Sequence, residues 1–215
     1  MVGEGGALAW SSGLARTAGR GHRWARRMAQ RRIPSLQGQL ILDGGKLSGS
    51  VFQRSVVLVC QHDAQGALGL VLTEAGEHVL DAALDVEVPA PLRDLPLGLG
   101  GPVQKTALSY LVTDPALLNP NVMPGLRLGH DVEELFDLGR PWIPGRKIRV
   151  FAGYAGWSPG QLDDEMLRES WLQHPASLDL VFDVPPEQLW RRILKSRSRW
   201  QERILADAPI HLLDN

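Results

Sequence analysis

Cysteine is almost missing from this chain. Cys60 stands alone, which excludes an internal disulfide and a metal site built from several thiolates. Long apolar runs are missing as well. None approaches the roughly 20 residues that a membrane-spanning helix needs, and the most apolar pieces, VVLVC and LDLVF, have the length of strands. The continuous apolar stretch of a secretory signal is absent. No block repeats to build a solenoid or propeller, and there is no phosphate-loop, zinc-finger or RRM signature. What is present is an ordinary globular balance, 44% hydrophobic and 22% charged residues in a chain of 215, enough for one substantial core.

The charge is unevenly placed. Residues 1–37 carry seven arginines against Glu4, a balance of +6, which leaves 23 − 7 = 16 basic and 24 − 1 = 23 acidic residues, or −7, for the remainder. Rich in glycine and poor in large apolar groups, residues 1–37 read as a flexible arginine-rich extension. Trp24 and Met28, one turn apart, could form the apolar side of a short helix on an anionic surface. The arm could meet nucleic acid; the acidic body is poorly suited to wrapping a phosphate backbone. Residues 38–215 are expected to form a single α/β domain.

Within that body, QLILDGG supplies a first strand. RSVVLVCQHDAQGALGLVLTEAG reads as an antiparallel hairpin turning at Asp63–Gly66, because the connection is too short for a parallel crossover. Gly69 marks a bulge or a close backbone approach. A short helix is expected over 79–85, a long connection through the proline- and glycine-rich VPAPLRDLPLGLGGPV, a strand over 108–114 and a helix in HDVEELFD. Lys147–Phe151 reads as another strand, SLDLVFD as a further one, and PPEQLWRRILK as a helix whose Leu189, Trp190, Ile193 and Leu194 share one face.

The stretch GYAGWSPGQLDDEM at 153–166 sets glycines and aromatics against three acids. Ser158 is expected to cap a helix, with Pro159 at its first position and Gln161 completing a capping box. Leu162 would then pair with Met166, and Leu167 with Trp171. Asp163, Asp164 and Glu165 sit where carboxylates favour the positive end of a helix. Adjacent helical residues point about 100° apart, so Asp163 and Asp164 make a poor catalytic dyad. Gly153, Gly156, Tyr154 and Trp157 could form a ligand-site rim with aromatic walls, or a tight strand-to-helix turn with the aromatics packed over it.

Other candidates carry the same two readings. His62 could donate to a ligand or fix its turn by hydrogen bonding. Arg54 could anchor an anionic ligand or pair within the body. Cys60, two positions before His62 and expected on the same strand face, reads as a buried apolar residue. Trp171 and Trp190 read as core, and Trp142 as cover for a loop or an interface.

Taken in order, FQRSVV at 52–57, CQH at 60–62, GALGLV at 66–71, GGPV at 100–103, GYAGWSPGQLDDEM and LVFDVPPEQLW resemble the YqgE/AlgH family of bacterial proteins over roughly residues 36–195. The resemblance implies a mixed, bifurcated sheet forming a partial barrel with helices packed against it, and brings no established mechanism, metal or cofactor. Family members often place a histidine near the end of the strand after GGPV; Leu108–Asp114 has none, so an obligatory base or metal ligand is not expected there. The resulting expectation is a cytoplasmic, non-enzymatic regulatory or binding protein. Its ligand, a small molecule or a protein partner, would meet Arg54, His62, Gly153, Tyr154, Gly156 and Trp157. The alternatives are a small-molecule hydrolase or metal-dependent enzyme using the acids near 163–165, and a nucleic-acid-associated protein acting through its basic arm.

Overall fold

The computed structural model describes residues 33–141 and 143–209. The expected extension therefore lies outside the described residues up to residue 32, as do the Trp24–Met28 pair and Trp142. Contacts divide the chain into residues 1–33 and 34–215, and all the elements named here belong to the second unit.

Among the described residues, nine strands and six α-helices alternate irregularly: β1 (Gln39–Asp43), β2 (Val56–Asp63), β3 (Gly66–Val71), β4 (Ala75–Val79), α1 (Leu80–Ala83), β5 (Pro96–Leu99), β6 (Val103–Thr113), β7 (Arg127–Gly129), α2 (Val132–Gly139), β8 (Lys147–Trp157), α3 (Gln161–Leu167), β9 (Trp171–Pro175), α4 (Leu178–Phe182), α5 (Pro186–Ser196) and α6 (Trp200–Asp207). The sheet runs β4-β5-β8-β3-β2-β1-β9, with β6 on the other side of β8 and β7 beyond it. Among the described strands, only β5 and β8 pair in parallel. This is the mixed, branched and incompletely closed sheet that the family motifs imply.

Strand β8 makes the branch. Along one edge it pairs with β6 from Lys147 to Tyr154. Along the other, Val150–Ala152 pair with β5 and Ala155–Trp157 with β3. Gly100 sits in the fork, its N–H donating to Ala152 O and its carbonyl accepting from Val71 N, both at 2.9 Å. Here GGPV and GYAGW meet. Gly153 has φ +71°, and a Cβ on it would lie 2.6 Å from Gly101 O and 2.9 Å from Val103 O. The glycine pairs thus answer to backbone crossing at the fork, where no side chain fits.

Two apolar layers form. Leu40, Leu42, Val56, Leu58, Cys60 and Leu70 of the sheet pack with Val181, Leu189, Trp190, Ile193 and Leu194 of α4 and α5. On the other branch, Tyr110, Val112 and Val150 pack with Leu80, Leu92 and Leu135. The face expected of α5 is the face buried.

Three expectations are corrected. SLDLVFD is the helix α4, capped by the Ser177 side chain accepting from Leu180 N. Leu178, Val181 and Phe182 follow helical i, i+3, i+4 spacing, which outweighs the apparent strand alternation. Helix α3 starts at Gln161 after Gly160 in the left-handed region at φ 76°, so Ser158 is not its cap. The side-chain half of the expected box survives, with Gln161 Oε1 accepting from Ser158 N at 3.1 Å. Finally, Trp171 opens β9 instead of continuing the helix. Glu169 adopts φ 55°, while Ser170 N donates to Glu165 O and Glu169 N to Met166 O, the paired bonds of a Schellman stop. The expected long connection also hides β5, and the exposed β4 carries almost no apolar signal.

Candidate functional site

Helix α3 brings the acidic run against β2, β8 and β9. Glu165 is its hub: Oε2 accepts the indole N–H of both Trp157 and Trp171 at 2.8 Å, and Oε1 accepts from Gln161 Nε2 at 2.9 Å. The two indoles meet edge-on with centroids 6.2 Å apart, and Phe52 meets Trp171 in the same way at 5.5 Å. Trp157 is 7% exposed and Trp171 4%. Buried indoles need an acceptor for their N–H, and a single carboxylate serves both.

His62 lies one strand from Trp157, since His62 pairs with Ala67 and Ala67 with Trp157. Its Nδ1 accepts from Leu36 N at 3.0 Å, so the proton of the neutral ring belongs on Nε2. That nitrogen faces Asp163 Oδ2 at 3.4 Å. Both residues are buried. The β2–β3 register slips between Val59 and Gln61, an extra residue that changes the alternation of side chains. Cys60 consequently packs with the core of α4 and α5, while His62 meets α3; they do not share the face expected. Burial pushes the Cys60 thiol up to about 12, which leaves no thiolate for nucleophilic chemistry.

Arg54 stands in the turn just before β2, at the opposite end of that strand from His62. Its N–H donates to Asp43 Oδ2 at 2.9 Å. Its guanidinium donates to Ala208 O, lies 5.1 Å from the Trp190 ring centroid and leaves Nε without a hydrogen-bond partner. The other Asp43 oxygen accepts from Gly45, Lys46 and Leu47 N–H groups, ordering the loop before Arg54. The structure therefore brings His62, Trp157 and the acidic helix together and leaves Arg54 apart. Tyr154 and Gly156 are more open than Trp157.

Among the described residues, no group of three or more His, Cys, Asp or Glu is placed to hold a metal ion. Ser109 Oγ and His130 Nδ1 lie 2.9 Å apart, but Ser109 is 1% exposed, out of reach of a substrate. A second cluster, Tyr110 and Arg127 on the Glu134 carboxylate, lies under α2. The Tyr110 hydroxyl, followed by Arg127, holds the Glu134 carboxyl below its usual range.

Sequence reasoning missed Arg149. It interrupts the apolar run of β8 and reaches a cleft of about 350 Å³ beside the fork, where Glu74, Leu97, Gly98, Phe182 and Val184 also stand. Nη1 donates to Val181 O at 2.7 Å and Nη2 to Leu72 O at 3.0 Å, and the guanidinium carbon lies 5.2 Å from the Phe151 ring centroid. Burial holds the guanidinium below its usual range, down to about 10. A charged residue inside an apolar strand run was the available signal; which cleft it faces depends on the fork.

Comparison with known proteins agrees with this architecture. The model of the AlgH-like family matches residues 40–199. A UPF0301 protein of Chlorobium luteolum is 34% identical over 176 residues, spanning 80% of this chain and 90% of that protein. A UPF0301 protein of Methylococcus capsulatus is 36% identical over 163 residues, 74% of this chain and 89% of its own. Among solved structures, the AlgH protein from Pseudomonas aeruginosa superposes with a TM-score of 0.65 at 25% identity, covering 83% of this chain and 98% of that one. The matched range spans both the fork and the glycine–aromatic corner, and the chain belongs to the AlgH-like family.

Proposed function

We propose that this chain is a non-enzymatic regulatory or binding protein of the cytoplasm, and that it captures a small ligand or a partner's side chain in the cleft beside the fork of its sheet. The cleft carries this reading. At about 350 Å³ it falls at the lower end of the range for small-molecule sites, and it combines apolar walls with a charged group, as such sites do. The groups suited to catalysis are engaged elsewhere. Asp163 faces His62 and Glu165 holds two indoles, so drawing these carboxylates into hydrolysis or metal binding would strip buried groups of their partners. The corner at Tyr154 and Gly156 offers a second place for a ligand, though with Trp157 turned inward.

The melting temperature of the full chain, measured against small acids, amines and neutral molecules, tests the proposal. A ligand-dependent rise that Ala75→Phe removes, by filling the rim of the cleft, supports it. A rise that survives Ala75→Phe and disappears with Tyr154→Ala moves the site to the glycine–aromatic corner. Hydrolysis of an activated ester that Asp163→Asn abolishes without loss of fold overturns the non-enzymatic reading. The net +6 of residues 1–37 favours a second contact with nucleic acid; deleting residues 1–32 should then remove salt-sensitive DNA binding and leave the cleft's ligand unaffected.

A further inference from the structure

We infer that the cleft takes a small organic carboxylate with an apolar body, seated on the Arg149 guanidinium; this rests on the reading of the cleft as a binding site.

Three other partly buried arginines have a carboxylate: Arg127 has Glu134, Arg146 has Asp114 and Arg197 has Glu202, at 2.5–2.6 Å, while Arg54 has a backbone carbonyl and the face of Trp190. Arg149 has two backbone carbonyls and the face of Phe151. Carbonyl dipoles and a ring quadrupole stabilise a cation without neutralising it. A guanidinium carries five N–H donors, and the two carbonyls take two, leaving three for a ligand.

The nearby acids do not fill that role. Both oxygens of Asp183 are held by Lys147 Nζ, at 2.5 and 2.7 Å. Glu74 is exposed at the rim. Arg149 is held where it is because the sheet divides: Leu72 follows the last residue of β3, where β5 has taken over the edge of β8, and its carbonyl is left to a side chain. The same division opens the cleft. One guanidinium therefore stitches the fork and presents a positive charge to a partly desolvated space.

The walls select the class of anion. Pro96, Leu97, Ile148, Phe182, Val184 and Pro185 line the cleft, and these would contact an apolar body while a carboxylate makes the paired bonds that suit a guanidinium. A phosphate would leave further charged oxygens against these walls and nearer to Glu74 and Asp183.

The test is a titration of the full-length, ¹⁵N-labelled chain with sodium benzoate and sodium isovalerate, with benzyl alcohol as the neutral counterpart, at fixed ionic strength. Amide shifts of Leu97, Gly98, Val150 and Val184 are followed. The carboxylates should saturate these shifts, and the alcohol should bind at least tenfold more weakly. Arg149→Lys, which keeps the charge but loses the fork, should weaken benzoate at least fivefold. Ala75→Phe should abolish binding with the guanidinium untouched and the circular dichroism unchanged, so loss of fold cannot imitate the result. Equal binding of benzoate and benzyl alcohol, or tighter binding of inorganic phosphate, overturns the carboxylate class and leaves the cleft as a binding site. No saturable shift from any probe, or shifts confined to residues 153–157, overturns both.

Discussion

The corner beneath α3 and the cleft beside the fork differ in how completely their polar groups are satisfied. In the corner, one carboxylate serves two indoles, His62 uses both ring nitrogens, and neighbouring side chains close over them. In the cleft, a guanidinium faces two carbonyls and open space, and among the described residues the cleft's acids, Glu74 and Asp183, form no ion pair with it. The corner holds the more conspicuous residues, whereas the cleft holds a charge that no carboxylate neutralises among the described residues. Residue types that suggest chemistry can be fully occupied in holding a fold, and a single arginine in an apolar strand can be the group left available.

If the corner is structural, damage to it should appear as lost stability. The largest effect is expected at the fork. Gly153→Ala places a side chain at φ +71° within 2.6–2.9 Å of two carbonyl oxygens. The left-handed conformation costs about 1–2 kcal/mol and the clash adds to it, for a total of about 3 kcal/mol or more; urea unfolding should show this or a chain that does not fold.

Glu165→Ala comes next. Two indole N–H groups lose their acceptor, for about 2–4 kcal/mol, while Glu165→Gln retains a carbonyl and should lose less than half of that. A negligible loss on Glu165→Ala would mean that the indoles do not depend on Glu165.

The Glu134 cluster should add acid lability. Its folded-state pKa is lowered by Tyr110 and Arg127, so its stabilisation is present above the ordinary carboxylate value of 4.5 and is lost as pH falls through the lower folded value. Glu134→Gln should flatten that part of the stability–pH curve while lowering stability near neutrality. The smallest effect is expected at the end of α3, where Glu169→Gly relieves a left-handed residue. A gain of about 0.5–1 kcal/mol should exceed the loss of its exposed contact with Lys46.

Much of the fold was legible where the signal was local. The β2–β3 turn, the buried face of α5 and the helix capped by Asp131 all follow from short-range pattern. The fork did not, because the pairing of Val71, Gly100 and Ala152 is decided by segments far apart in sequence. α4 misled because five apolar-rich residues fit either period until Ser177 is recognised as a cap. The site was legible in the same partial way. His62 and the 153–165 stretch could be singled out by type, but the Asp163–His62 contact spans 101 residues, and the Glu165 hub depends on β8 and β9 being brought under one helix. Arg54 shared a family motif with its neighbours and still ended at the opposite end of β2.

A crystal structure of the full chain grown with benzoate tests the contrast between the two regions most directly. The expected result is a carboxylate within hydrogen-bonding distance of the Arg149 guanidinium, its ring against Leu97 and Phe182, and an unchanged Glu165 hub. Benzoate against Tyr154, Gly156 or His62, with the cleft beside Arg149 empty, would contradict it.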